Sequence, residues 1–213
     1  VLPPPVVGTA AVTGFSYGGH VLSLNEFVAN WMRVGGMTWV KKQVRYVDGQ
    51  SANDYAGLIN QVKGSGFRVM LGVVGFSKYD LNNGGYDQRY AEFVAGLAAL
   101  GTDAIEIWNE PNIASEWPEG QINAGRYVQL LAASYNAIKS TNPNTLVISG
   151  APAPTGFFGG CSGNGCDDNA YLAGMAAAGA ANYMDCVGVH YNEGVVPPNW
   201  TSGDPRGNRG YYT

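Results

Sequence analysis

Residues 104–112 read AIEIWNEPN. A strand-like apolar run leads straight into Trp108, Asn109, Glu110, Pro111 and Asn112. A carboxyl group at the end of an apolar strand, beside an amide and ahead of a stiffening proline, has the makeup of a fixed acid/base group. The bland alternative is a solvated carboxylate at a helix start, where its charge suits the helix dipole. Other polar residues gather at comparable places. His20 closes the first strand-like run, Arg45 and Tyr46 the second, and His190, Tyr191 and Asn192 the sixth. The site candidates are therefore Glu110 as the catalytic group, with Asn109, His190, Tyr191, Arg45 and His20 around it. Trp117, in SEWPEG, reads either as a flat ligand-stacking face or as a loop anchor, and Tyr79 and Asp80 are further cleft candidates.

The elements that must position these residues alternate. Strand-like runs cover 14–21, 38–46, 68–76, 104–111, 145–152 and 186–192. Helix-like stretches cover 24–35, 52–66, 86–101, 124–141 and 168–181. No two strands are adjacent, which predicts a parallel sheet wrapped by helices. The strands are apolar nearly throughout, as expected where both faces are covered. Trp31 and Trp39 are expected in the core. No Gly-x-Gly-x-x-Gly follows the first strand, so a dinucleotide-binding sheet loses support. The unit length, roughly 34 residues, suits a (β/α)₈ barrel of which about six units are present. The expected organisation is a Pro-rich arm over 1–13 and a partial barrel over 14–213.

Composition narrows the partners. The 213 residues carry 13% charged side chains and a net charge of −4, which argues against nucleic acid. No apolar run is long enough to cross a bilayer, and VLPPPVV lacks the features of a leader. A Gly- and Tyr-rich, charge-poor chain points towards a secreted enzyme. Cys161 and Cys166, in GGCSGNGCDD, read as a small disulfide-closed loop. The alternatives are two free thiols or a metal pair, the latter needing ligands from His20 and His190. Cys186 reads as a buried apolar residue. No metal or cofactor is implied.

The sequence IWNEPN at the end of a fourth strand resembles the Asn-Glu-Pro signature of the clan A retaining glycoside hydrolases, (β/α)₈ barrels with xylosidase-like and cellulase-like members. VGVHYN (187–192) and Arg45 match that pattern more weakly. The resemblance implies that Glu110 is the general acid/base and that Asn109 hydrogen-bonds the sugar 2-hydroxyl. It implies a poly-, oligo- or aryl-glycoside substrate, and flat sugar-binding faces on Trp108 and Trp117. It also implies a nucleophilic Glu at the end of a seventh strand, which is expected beyond residue 213. Within the chain, Glu193 is the best internal substitute, and otherwise a subsite contact. Glu106 is better read as an ion-pair partner of Lys41, because Lys41, Gln43 and Arg45 alternate onto one strand face. Arg45 could itself pair with Glu106 or Asp48. The open barrel edges are expected to pair with a C-terminal fragment or another copy of the chain. The rivals are a carbohydrate-binding pseudoenzyme or inactive fragment, and an unrelated sheet whose strand order reverses.

Overall fold

The computed structural model describes residues 2–6 and 14–191. The readings at Asn192 and Glu193 lie outside the described residues. Five strands form: β1 (Gly18–His20), β2 (Trp39–Tyr46), β3 (Arg68–Gly75), β4 (Ala104–Ile107) and β5 (Leu146–Ser149). Five α-helices follow them in turn: α1 (Glu26–Val34), α2 (Ala56–Gly64), α3 (Tyr86–Ala99), α4 (Ala124–Thr141) and α5 (Asp168–Ala177). Their starts follow from local chemistry. Asn25 and Asn123 cap α1 and α4 by accepting the backbone N–H of Val28 and Arg126. The α4 helix ends ahead of Asn142 and Pro143, which cannot continue it.

All strand pairs are parallel, and the spatial order β1-β2-β3-β4-β5 is the chain order. A sheet that winds in one direction without reversal is a barrel wall rather than a doubly wound open sheet. The chain is thus a partial (β/α)₈ barrel, and the order-reversal rival is excluded. The outer wall is fully buried under the helices through Val40, Val44, Val69, Leu71, Val73, Ile105, Ile107 and Val147. The concave wall differs from the two-sided burial expected of the strands. There β2 presents Trp39, Lys41, Gln43 and Arg45, none of them fully buried. Lys41 and Glu106 meet across β3 at 2.5 Å, as the alternation on β2 predicts. Gly72 lies between them, where a Cβ would stand 3.0 Å from Glu106 Oε2.

Among its described residues, 186–191, the sixth strand-like run does not form a strand. Cys186 bridges Ile148 in parallel fashion, and its carbonyl accepts from Ser149 N–H. The ladder stops there because the Ser149 hydroxyl takes the Gly188 N–H at 3.0 Å. Gly188 packs so close that a Cβ would lie 2.1 Å from Ser149 O. Cys186 is half-buried on the concave side rather than in the core, and burial pushes its thiol up. Trp31 is also misplaced by the sequence reading, being 61% exposed. Helix α1 turns Ala29 and Met32 inward and leaves Phe27, Trp31 and Val34 on its outer side. Trp39 is half-buried on the concave wall beneath the Arg68 guanidinium.

One device recurs at the N-terminal rim. Asp103, ahead of β4, donates its N–H to Val69 O and accepts Val69 N–H on Oδ2. Asp185, ahead of the Cys186 bridge, does the same with Val147. A lysine from the last turn of the helix preceding the earlier strand faces each aspartate: Lys63 at 4.0 Å from Asp103 and Lys139 at 2.7 Å from Asp185.

Candidate active site

The C-terminal ends of β3 and β4 are pinned from below by buried tyrosines. Tyr90, from α3, donates to Val73 O at 2.7 Å, and Tyr127, from α4, donates to Ile107 O at 2.9 Å. Burial raises both phenols well above their ordinary range, so they remain donors. Beyond Ile107 the backbone leaves the strand through two left-handed residues, Trp108 at φ 70° and Glu110 at φ 43°. Neither is glycine, and positive φ at so bulky a residue as Trp costs about 1–3 kcal/mol. Surrounding contacts hold the strained turn. Trp108 N–H donates to Val73 O, Glu110 N–H donates to Ala151 O, and Trp108 Nε1 donates to Glu116 O at 3.0 Å. Gly75 makes room for the indole, since a Cβ there would lie 2.5 Å from Trp108 Cη2.

This turn projects Glu110 towards His190, whose Nδ1 is 2.9 Å from Glu110 Oε1. Both side chains are mostly buried. An imidazole nitrogen accepts this bond from a protonated acid or donates it to a carboxylate, so the contact serves both states of Glu110. Asn109 and His190 share a recess of about 170 Å³ with His20, Gln43 and the Lys41–Glu106 pair. Burial and the charges of Lys41 and Lys42 hold the His20 imidazole below its usual range. The structure therefore brings Glu110, Asn109, His190 and His20 to one end of the barrel wall. Arg45 lies nearby, exposed at the end of β2. The ion pairs considered for Arg45 are occupied otherwise: Lys41 holds Glu106 and Arg89 holds Asp48. Tyr191 is exposed beyond His190.

Trp117 does not join them. It is 1% exposed, donates Nε1 to Gln121 O, and packs edge-on between Trp108 and Tyr127. It is the loop anchor, and Trp108 is likewise buried beneath the site rather than presenting an open face. Two further residues were not singled out from the sequence. Asn112 is fully buried. Its Nδ2 donates to Ala153 O and Cys166 O, both at 3.0 Å, and its Oδ1 accepts Ala153 N–H at 2.7 Å. It thereby ties the segment after Glu110 to the 153–166 loop, where Cys161 and Cys166 are joined as a disulfide. Glu116 is half-buried, and burial and the nearby Glu110 hold its proton on more firmly than usual, with Arg45 opposing. Its position after NEP carried no signal in a single sequence. No group of three or more metal-ligating side chains is assembled among the described residues.

A partial (β/α)₈ barrel with a carboxyl group on its C-terminal face is the class defined by fold and geometry. Among solved structures, the chain is similar to Thermotoga maritima Cel5A in complex with cellobiose, at 14% identity and a TM-score of 0.50, over 68% of this chain and 53% of that one. It is also similar to hydroxymethylglutaryl-CoA lyase from Pseudomonas aeruginosa, at 12% identity and a TM-score of 0.49, over 84% and 54%. A third is a broad-specificity GH5-4 endoglucanase from Clostridium longisporum, at 13% identity and a TM-score of 0.46, over 70% and 53%. The chain thus spans about half the length of these proteins. Likeness at this identity establishes the fold alone. No family model matches the sequence, and no curated protein matches it.

Proposed function

We propose that the chain is part of a secreted retaining glycoside hydrolase with Glu110 as its general acid/base. The observation that carries this reading is the Glu110–His190 contact at 2.9 Å on the C-terminal face, built on a strained turn inside an Asn-Glu-Pro motif. Backbone strain collects where a side chain must be aimed. The solved complex of the similar Cel5A with cellobiose adds support.

The chemistry follows from the positions. Protonated Glu110 gives its proton to the glycosidic oxygen as the bond from that oxygen to the anomeric carbon breaks. A second carboxylate, about 5 Å away in retaining enzymes, forms an ester to the anomeric carbon. Glu110, now ionised, takes a proton from the water that displaces the ester. Asn109 binds the sugar 2-hydroxyl, and His20, Arg45 and Tyr191 line the cleft. The second carboxylate is assigned to residues outside those described, at Glu193 or on a seventh strand beyond residue 213. Glu106 is committed to Lys41. The edge of β1, and the wall beyond the 185–188 segment that lines β5, are proposed to pair with the remaining wall or with another copy.

The test is hydrolysis of a panel of aryl glycosides by the chain and by Glu110→Gln. Cleavage lost in the variant supports the reading. Cleavage that survives the substitution removes Glu110 from the mechanism. Binding of sugars without cleavage by the intact parent protein favours the pseudoenzyme.

A further inference from the structure

A second recess of about 300 Å³ opens beside the Glu110 turn, between the ends of β2, β3 and β4. Its floor is Trp108, and its walls are Arg45, Phe76, Tyr79 and Glu116. Phe76 and Tyr79 are 69% and 55% exposed, unlike the buried aromatics of the core. Tyr79 is held in place by a hydrogen bond to Glu119 Oε2 at 3.0 Å, and Lys78 is neutralised by Glu119 at 2.6 Å. Arg45 and Glu116 are left with unused capacity. Arg45 makes one long hydrogen bond, to Gly75 O at 3.5 Å, and no ion pair among the described residues. The two feel each other's charge without meeting in an ion pair. The backbone of Glu116 is fixed, because its carbonyl accepts Trp108 Nε1 and its N–H donates to Ile113 O. A half-buried carboxyl group on a fixed backbone shares the recess with two exposed rings and a guanidinium that makes no ion pair among the described residues, which suits a neutral ligand. The ligand would have hydroxyl groups to bridge the charges and apolar faces to cover the rings.

Resting on the glycosidase reading, we propose that this recess is a separate saccharide subsite, with Glu116 binding ring hydroxyls of a sugar unit adjoining the one at Glu110. The substrate is then an oligo- or polysaccharide that extends past the Glu110 turn towards β3. The size fits, since small-molecule sites start at about 300 Å³. A hydroxyl–carboxylate bond in such a site contributes about tenfold or more in affinity.

Calorimetric titration of the chain with cellotetraose, xylotetraose and mannotetraose tests this. At least one tetrasaccharide is expected to bind, and Glu116→Ala and Phe76→Ala are each expected to weaken it about tenfold. Phe76 is exposed, so that variant cannot fail merely by unfolding. Asn109→Ala, at the other recess, is measured alongside. Binding weakened by Asn109→Ala and untouched by the other two variants overturns the subsite while the glycosidase reading stands. Binding of no tetrasaccharide overturns the subsite, while the reading it rests on stands or falls separately on the Glu110→Gln hydrolysis test.

Discussion

Replacing Asn112 by Ala removes three short hydrogen bonds and a longer donation to Thr155 Oγ1 at 3.4 Å from a fully buried position. The donors to Ala153 O and Cys166 O disappear, as does the acceptor for Ala153 N–H. At about 1 kcal/mol for each bond, the direct loss is about 3 kcal/mol. The Ala153 N–H is also left buried without its partner, which adds about 1 kcal/mol or more. Cys166 O is partly compensated, because the Thr155 hydroxyl still donates to it at 3.0 Å. The expected cost is therefore about 4 kcal/mol. For a chain of this size each kcal/mol shifts the melting point by about 2–4 °C, so a fall of roughly 8–16 °C is expected. Urea unfolding followed by circular dichroism gives the free energy, and a thermal scan gives the shift. Asn112→Asp is the companion, since it places a carboxylate oxygen against two carbonyls and should cost at least as much. A loss below about 1 kcal/mol in both variants would show that the loop tie has been misjudged.

The Lys41–Glu106 pair and the Lys78–Glu119 pair give contrasting expectations. Lys41→Met strands the buried Glu106 carboxylate and should cost about 3 kcal/mol, with much of it recovered in Lys41→Met/Glu106→Gln; equal losses in single and double variants would refute the pairing. Glu119 is exposed, but Lys78 holds its carboxyl down to about 2 from an ordinary value of 4.5. A depressed folded-state value means the contribution is present above pH 4.5 and lost as the pH falls towards 2. The stability difference between wild type and Lys78→Met should therefore be present at neutral pH and vanish in that acid window, as read from urea midpoints. A difference independent of pH would assign it to packing instead.

The alternation of strands and helices was legible because each element carries its own periodicity. Helix α4 covers the stretch 124–141 that the sequence gives it, and in the structure Asn123 caps its start. Glu110 and His190, both singled out from the sequence, meet at 2.9 Å, and the Lys41–Glu106 contact was legible from the two-residue period of β2. The sixth strand was misread for a local reason, the diversion of Gly188 N–H onto a serine side chain. Hydrophobicity alone also misjudged Trp31, which faces outward because Ala29 and Met32 take the inner side of α1, whereas Trp117 takes the loop-anchor role, one of its two readings. The roles of Asn112 and Glu116 depend on what the chain brings to them from elsewhere, which no local pattern encodes.

The twin aspartates at the opposite rim bear on how such a molecule can change over evolutionary time. Asp103 and Asp185 each lock strand alignment through both backbone groups of a valine, far from Glu110. A one-residue slip would forfeit two hydrogen bonds and a lysine contact at once. Alignment is thus set at the end of the barrel opposite the candidate site. Loops at the other end can lengthen, shorten or exchange residues without unzipping the wall, so new binding preferences can arise on an unchanged frame.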